Sequence, residues 1–182
     1  MYKLILLFLF FCFTTVSFSQ NDTIISTVDS TNASEIVLIQ SFTVHSSIDS
    51  VWKAFTTKEG LENWSVPLAE VDLKIGGSIQ SNYNPAGKIG DSTTIYTHII
   101  NYVPYKLLTL QAEVSEHFPE FMKADAKDFY NVILFEELKD DQVQITSYGI
   151  GYKNTPKYLS LLKFFIAGNE SSYKELIKYL EQ

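Results

Sequence analysis

Two residue types that often carry function are almost or entirely missing from this chain. The only cysteine, Cys12, lies within the first 20 residues, so the rest of the chain cannot form disulfides, thiolate metal sites or a catalytic thiol. Arginine is absent, and 14 lysines face 21 acidic residues for a formal net charge of −7. Nucleic-acid binding requires clustered basic side chains, so we expect no nucleic-acid partner.

Motifs for nucleotide and redox cofactors are also missing. The sequence has no P-loop, no dinucleotide fingerprint and no nucleophile elbow. The pair Gly149 and Gly151 does not by itself form a dinucleotide-binding motif. We therefore predict no cofactor.

The first 20 residues have the pattern of a secretory signal peptide. Lys3 precedes the apolar run 4–13, and small and polar residues lead to Gln20. Ten apolar residues form about 15 Å of helix, too short for a hydrocarbon layer of ~30 Å. Phe11 before Cys12 argues against a lipoprotein. We predict cleavage near Gln20, a periplasmic or secreted protein, and no stable membrane anchor after cleavage.

The remaining chain has the length of one domain. Residues 21–33 are rich in Ser, Thr, Asn and Asp and predict a flexible lead-in. Residues 34–182 carry the apolar patterns, and 46% hydrophobic and 14% aromatic residues in the whole chain supply a substantial core. We predict a single domain over residues 34–182.

Apolar spacing predicts a mostly β domain closed by a long helix. From Glu35 to His45, Ile36, Leu38, Gln40, Phe42 and Val44 alternate with a second face, which is typical of a strand. A helix of about two to three turns follows, with Ile48, Val51, Trp52 and Phe55 on one apolar stripe, and then a second short helix at 58–64. Six more strands are predicted at 69–74, 78–83, 93–102, 107–114, 130–138 and 143–150.

Two helical segments complete the pattern. Residues 116–128 interrupt the strands and place Phe118, Phe121 and Met122 on one side of an inserted helix or lid. A long helix begins at Pro156 and carries apolar residues at spacings of three and four up to residue 181. Residues 158–166 are apolar nearly all round, which favours burial by the sheet over a membrane or partner contact.

Four sequence motifs resemble those of a known superfamily. They are VWKAFTTKEGLENW (51–64), VDLKIGGSI (71–79), THIINYVPYKLL (97–108) and SSYKELIKYLEQ (171–182). With the order of elements, they resemble the START-like (SRPBCC) superfamily, which includes the Bet v 1-like birch pollen allergen and polyketide cyclases. The branch of homologues of an activator of a heat-shock chaperone ATPase is most similar. Thr97 stands where that branch usually has Gly, and the insertion 116–128 has no counterpart.

The resemblance implies an α+β helix-grip fold: a seven-stranded antiparallel curved sheet around the C-terminal helix, with two short helices after the first strand. It also implies a cavity between sheet and helix, which the surplus of aromatic residues supports. Aromatic residues and one histidine are proposed to line this cavity, although any one of them, taken alone, is more often an ordinary core or surface residue. The candidate lining residues are Trp64, Tyr83, Tyr96, His98, Phe118, Phe121, Tyr148 and Phe165.

Candidates for catalysis are few, and none is adopted as a catalytic residue. His98 shares a strand face with Tyr96, and the pair could exchange protons with an enolisable ligand, although a solvent-facing histidine is the simpler interpretation. Glu113, Glu116 and His117 are too weak a set to predict a metal site.

Three functions therefore remain open at this point. The first is an exported protein that binds a hydrophobic or amphipathic small molecule. The second is a cyclase, aromatase or dehydratase that uses His98 with Tyr96 or Tyr148. The third is a chaperone-ATPase activator, against which export argues, as does the lack of the extra N-terminal domain that such activators carry. The oligomeric state is not predicted.

Overall fold

The computed structural model describes residues 23–114 and 118–182. The predicted signal peptide, Glu116 and His117 lie outside the described residues. Within these two ranges, no helix is both long and apolar enough to span a membrane.

One antiparallel sheet of eight strands forms the body of the domain. The spatial order is β1-β2-β8-β7-β6-β5-β4-β3. The strands are β1 (Ile25–Asp29), β2 (Glu35–His45), β3 (Leu68–Val71), β4 (Ser78–Asn82), β5 (Ile95–Val103), β6 (Leu107–Ala112), β7 (Tyr130–Glu137) and β8 (Gln142–Lys153). The α+β helix-grip prediction is confirmed, with one strand more than expected.

The additional strand lies in the segment that was predicted to be a flexible lead-in. β1 pairs with β2 in register from Ile25 opposite Ser41 to Asp29 opposite Val37. The prediction is wrong here because the strand is short, polar and at the sheet edge, where one side of the ladder stays unpaired and Ile25 is 59% exposed. Its stability depends on β2 and not on its own sequence pattern.

Two short helices follow β2. α1 (Ile48–Thr56) begins after Ser47, whose hydroxyl accepts a hydrogen bond from the Ser50 amide, and α2 (Lys58–Trp64) begins after Thr57 in the same way. The helices approach closely at Gly60, where a Cβ atom would lie 2.2 Å from the Lys53 carbonyl oxygen. Glycine is therefore required at this turn of the motif 51–64.

In the described part of the inserted segment, residues 118–128, the predicted helix is present. α3 (Glu120–Ala124) is followed by a 3-10 turn at Ala126–Asp128, and Met122 is its buried residue. The segment lies over the end of the sheet at which α4 begins.

The C-terminal helix α4 spans Pro156–Leu180, with Thr155 as its cap and Pro156 in its first turn. Tyr158 and Leu162 are buried, but Phe164 is 72% exposed. The expectation that residues 158–166 are buried by the sheet therefore holds for one side of the helix only.

The inner face of the sheet, α4 and the short helices enclose two groups of buried residues. The closed cluster is covered by α1, α2 and the second half of α4, and includes Phe42, Val51, Phe55, Leu108 and Phe135. The hollow cluster is covered by α3 and the first half of α4. Its buried residues are Ile36, Leu38, Met122, Phe129, Tyr158 and Leu162.

Candidate functional site

A cavity of about 250 Å³ lies between the sheet and α4, on the side of the hollow cluster. Strands β2, β6, β7 and β8, the inserted segment and α4 all contribute to its wall. The lining residues are Leu38, Ala112, Glu113, Val114, Phe118, Met122, Phe129, Asn131, Ser147, Gly149, Tyr152, Phe165 and Asn169.

One wall of the cavity is aromatic. The Tyr152 ring lies 5.3 Å from the Phe129 ring and 6.2 Å from the Phe165 ring, measured between centroids. Burial raises the pKa of the Tyr152 phenol to about 12. The phenol is therefore neutral at physiological pH, and this wall offers an uncharged surface.

A belt of polar side chains crosses the core between the two clusters. We define the polar belt as Gln40, Asn131, Ser147 and Asn169. On β2, Gln40 lies between Leu38 of the hollow cluster and Phe42 of the closed cluster, and it is only 1% exposed. The belt therefore forms the end of the cavity that faces the closed cluster.

Hydrogen bonds hold the Gln40 side of the belt in place. The Asn169 Nδ2 donates to Gln40 Oε1 at 2.7 Å, and Gln40 Nε2 donates to Ser26 Oγ at 3.0 Å. The Ser26 hydroxyl donates to Glu170 Oε1 at 2.7 Å. Both polar ends of the buried Gln40 side chain are thus satisfied, as a buried amide requires.

On the other side of the belt, Ser147 and Asn131 form a second hydrogen-bonded pair. Ser147 Oγ donates to Asn131 Oδ1 at 2.8 Å. Burial raises the pKa of the nearby Tyr173 phenol, and a hydrogen bond with Ser147 lowers it in part. Asn131 and Ser147 lie on adjacent strands, so the sheet itself fixes their positions.

Two polar groups of the belt have no partner among the described residues: Asn131 Nδ2 and Asn169 Oδ1. In the same residues, no fully buried side-chain nitrogen or oxygen lacks a hydrogen bond. The two groups therefore retain accessible surface, and both belong to residues that line the cavity. Asn131 also lines the edge recess, so this donor and this acceptor lie at or beside the cavity wall.

Two further recesses adjoin the cavity. The rim recess, of about 570 Å³, shares Glu113 and Phe118 with the cavity and is bounded by residues 91–96. The edge recess, of about 210 Å³, shares Asn131 and reaches the far edge of the sheet past Trp64 and Tyr83. Shared wall residues make the three hollows neighbours along one inner face.

The loop that forms the rim recess is ordered by one carboxylate. Asp91 accepts hydrogen bonds from the Thr93 hydroxyl at 2.6 Å, the Thr93 amide at 2.9 Å and the Lys88 amide at 2.9 Å. The buried Asn82 side chain also donates to it, at 3.1 Å. These donors lower the pKa of Asp91 to about 2, with the Thr93 hydroxyl as the largest cause.

The inserted segment is anchored on α4 at the opposite side of the cavity. The Phe121 ring meets the Tyr158 ring edge to face at 5.0 Å, and the Tyr158 hydroxyl donates to Asp125 Oδ2 at 2.7 Å. Lys153 also donates to Asp125, and these two bonds lower the pKa of the Asp125 carboxyl. Burial, followed by the bond to Asp125, raises the pKa of Tyr158.

Of the eight predicted lining residues, Phe118 and Phe165 line the cavity. Tyr96 lies beside Phe118 at the rim recess, whereas Trp64 and Tyr83 line the edge recess. These five residues line adjacent hollows, although they do not share one cavity.

Three predicted residues lie elsewhere. Ile99 is buried and Thr97 lines the edge recess, so His98 between them points to the outer face of the sheet. Its side chain is 48% exposed, with Nε2 3.7 Å from Glu113. Tyr148 follows the buried Ser147 on β8 and also points outward.

Phe121 lies against Tyr158 in the hollow cluster, behind the cavity wall. The structure thus does not place His98, Tyr148 or Phe121 in the lining of the cavity. The register of β5 and β8 decides the first two, since one residue of shift exchanges the faces of a strand.

No cluster of three metal-binding side chains occurs in residues 23–114 and 118–182. Glu116 and His117, the weak metal candidates beside Glu113, lie outside the described residues. His45 is at the exposed end of β2, where its Nε2 lies 2.9 Å from Gln142 Nε2. The described residues thus place no histidine in the cavity.

The polar belt was missed by the sequence prediction, although the sequence carried its signal. Gln40 occupies an inward position of an otherwise apolar strand face, and Asn169 falls on the apolar stripe of α4. A polar residue at a core position requires a hydrogen-bonding partner. Two such residues on elements expected to pack together could have predicted the belt.

The sequence matches a known protein family. A sequence profile described as Activator of Hsp90 ATPase homolog 1-like protein matches residues 45–181. Comparison with curated proteins gives no match.

Solved structures share the fold at low sequence identity. The Aha1 dimer from Colwellia psychrerythraea is 15% identical with a TM-score of 0.60, over 80% of this chain and 96% of that one. CalU16 from Micromonospora echinospora is 16% identical with a TM-score of 0.61, over 89% of this chain and 76% of its own. Because the profile covers most of the chain and the helix-grip fold agrees, the chain belongs to the Activator of Hsp90 ATPase homolog 1-like family, within the START-like superfamily.

Proposed function

We propose that this protein is an exported START-like domain that binds a hydrophobic or amphipathic small molecule between the sheet and α4. The observation that carries the proposal is the cavity itself. It combines an aromatic wall of Phe129, Tyr152 and Phe165 with a few fixed polar groups. Apolar walls with a small number of oriented polar side chains are typical of small-molecule sites.

The dimensions restrict the ligand. A cavity of about 250 Å³ holds the volume of about eight water molecules at roughly 30 Å³ each. A larger ligand would extend past Glu113 and Phe118 into the rim recess of about 570 Å³. We expect a small molecule whose buried part fills the cavity and whose remainder, if any, lies at the rim.

Export is the second part of the proposal. It is supported by the leader pattern, in which Lys3 precedes a short apolar run that ends well before Gln20. An exported protein meets neither cytoplasmic ATP nor a cytoplasmic chaperone, so the activity in the family's name is not proposed for this chain.

Catalysis has less support than binding. Acid–base chemistry would require His98 with Tyr96 or Tyr148 in the cavity, whereas His98 and Tyr148 point to the outer face of the sheet. The binding proposal needs only the cavity wall and the belt.

The proposal is tested by native mass spectrometry of the full chain expressed in its own host and purified from the envelope fraction. We expect a polypeptide that begins near Asn21 and carries a small organic molecule, which solvent extraction releases. The Leu38→Trp variant, which fills the cavity, should lose that molecule. Val37→Trp, on the outer face of the same strand, is the matched control and should retain it.

Two results would overturn the proposal. A chain that retains residues 1–20 in the cytoplasm contradicts export. A chain that arrives without any bound molecule and takes up no apolar probe contradicts the ligand-binding function.

A further inference from the structure

We infer that the polar belt is a subsite for one uncharged hydrogen-bonding group, such as a hydroxyl or carbonyl, on an otherwise apolar ligand. This inference rests on the proposed function and names the chemistry of the same cavity. It follows from the position of the belt, from its two free hydrogen-bonding groups and from the charges of the wall.

The belt bounds the cavity on the side of the closed cluster. Beyond Gln40 and Ser147 begins the closed cluster, whose residues Phe42 and Ile145 are buried and adjoin the belt on the same strands. On the near side, Leu38, Met122 and Phe165 provide an apolar wall. A ligand that fills the cavity therefore has its innermost atoms against the belt and its apolar part against the hollow cluster.

The belt presents one donor group and one acceptor. The Ser147 hydroxyl donates to Asn131 Oδ1, so the two N–H groups of Asn131 Nδ2 stay free. Asn169 Nδ2 donates to Gln40, so Asn169 Oδ1 stays free as an acceptor. A hydroxyl can donate to Asn169 and accept from Asn131 at the same time. A carbonyl can use Asn131 alone.

Among residues 23–114 and 118–182, the wall contains no lysine to pair with an acid. None of the lining residues is a lysine, and the chain has no arginine. Its ionisable members are Tyr152, whose phenol is neutral, and Glu113, whose side chain is 61% exposed at the mouth. A buried carboxylate or phosphate would lose its hydration without gaining an opposite charge, which is unfavourable.

The hydrogen bonds behind the belt also favour an uncharged ligand group over an anionic one. Gln40 is held by Ser26, which in turn is held by Glu170. A carboxylate, that of Glu170, thus lies behind the belt, where it would repel an anionic ligand group and have no effect of comparable size on a neutral one.

Three probes of equal chain length test the inference: octanol, octanoate and octane, titrated into the purified chain at neutral pH, where octanoate is ionised. Binding is measured by displacement of a fluorescent apolar probe. We expect octanol to bind at least about tenfold more tightly than octanoate. In the Asn131→Leu/Asn169→Leu variant, octanol should lose about tenfold in affinity, whereas octane should bind as well or better.

The Asn101→Leu variant is the matched control, because Asn101 is an exposed residue of β5, and it should leave all three affinities unchanged. If the double variant does not fold, the comparison of the three probes on the unaltered chain still decides.

The outcomes separate the two proposals. Equal or tighter binding of octanoate, or an octanol affinity that the double variant leaves unchanged, overturns the belt subsite but leaves ligand binding intact. Failure of all three probes to bind overturns the proposed function and the subsite with it.

Discussion

The two halves of this core use the same scaffold but arrange their aromatic rings differently. Strands β2 and β8 and helix α4 contribute residues to both. In the closed half, the Phe135 ring meets the Trp52 ring at 5.7 Å and the Phe55 ring at 5.2 Å, edge to face. In the hollow half, the rings of Phe129, Tyr152 and Phe165 border the cavity of about 250 Å³, whereas the edge recess of about 210 Å³ beside the closed half lies toward the far edge of the sheet, past Trp64 and Tyr83.

The covering helices explain the difference. α1 has nine residues and buries five of them, including Trp52 and Phe55. α3 has five residues and buries only Met122. A short cover cannot fill the space between sheet and α4, so a cavity remains there. The comparison shows that a cavity can arise from reduced coverage on one half of a sheet while the other half stabilises the fold.

The largest expected effect contrasts one aromatic residue in each half. Phe135→Ala removes a buried ring from the closed cluster and should lower the free energy of unfolding by about 3–5 kcal/mol. Phe165→Ala removes a partly exposed ring beside an existing cavity and should cost about 1 kcal/mol. Urea unfolding followed by circular dichroism measures both. Equal losses would mean that the halves are packed alike.

The next contrast adds volume instead of removing it. Leu108→Phe in the closed cluster should destabilise by about 1–3 kcal/mol, because a well-packed core must shift to accept the ring. Leu38→Phe should change stability by less than about 1 kcal/mol, because the ring can enter the cavity. Thermal unfolding of the two variants is the measurement. A large loss for Leu38→Phe would contradict an open cavity at that position.

The sequence predicts the closed half well. The alternation that buries Phe42 and Val44 on β2 and the apolar spacing of Ile48, Val51 and Phe55 have one explanation each, burial of one face. These periods are local and do not depend on distant elements. The edge strand β1 could not be predicted in this way, because its stability comes from pairing with β2.

The hollow half depends on contacts between distant residues. His98 and Tyr148 were assigned to the cavity, but strand register turns both outward. Gly151 is another example: its φ is +92°, and a Cβ atom there would lie 1.8 Å from the Asp128 carbonyl oxygen. Glycine is needed because the turn before β7 crosses β8, which the sequence pattern alone does not reveal.

A smaller effect tests how the hollow half keeps its cover. Tyr158→Phe removes the hydrogen bond to Asp125 and should cost about 1–2 kcal/mol. Its local effect is more informative: amide hydrogen exchange should accelerate in α3 but not in α1. Tyr102→Phe, beside Trp52 in the closed half, is the control. Uniform acceleration in both helices would contradict an independent cover.

The smallest effect concerns the rim of the hollow half. The pKa of Asp91 is lowered to about 2 in the folded chain, from an ordinary value of 3.8. A lowered pKa means that the ionised carboxylate stabilises the loop above pH 3.8, and that this contribution is lost as the pH falls through about 2. In an acid titration followed by NMR, the amide signals of Lys88 and Thr93 should therefore shift with a midpoint near 2. Asp91→Asn should abolish that transition and leave the amides of the closed half unchanged. A midpoint close to 3.8 would show that the Thr93 and Lys88 bonds do not hold the carboxylate in solution, and the rim recess would then lack the fixed wall that distinguishes it from an ordinary surface loop.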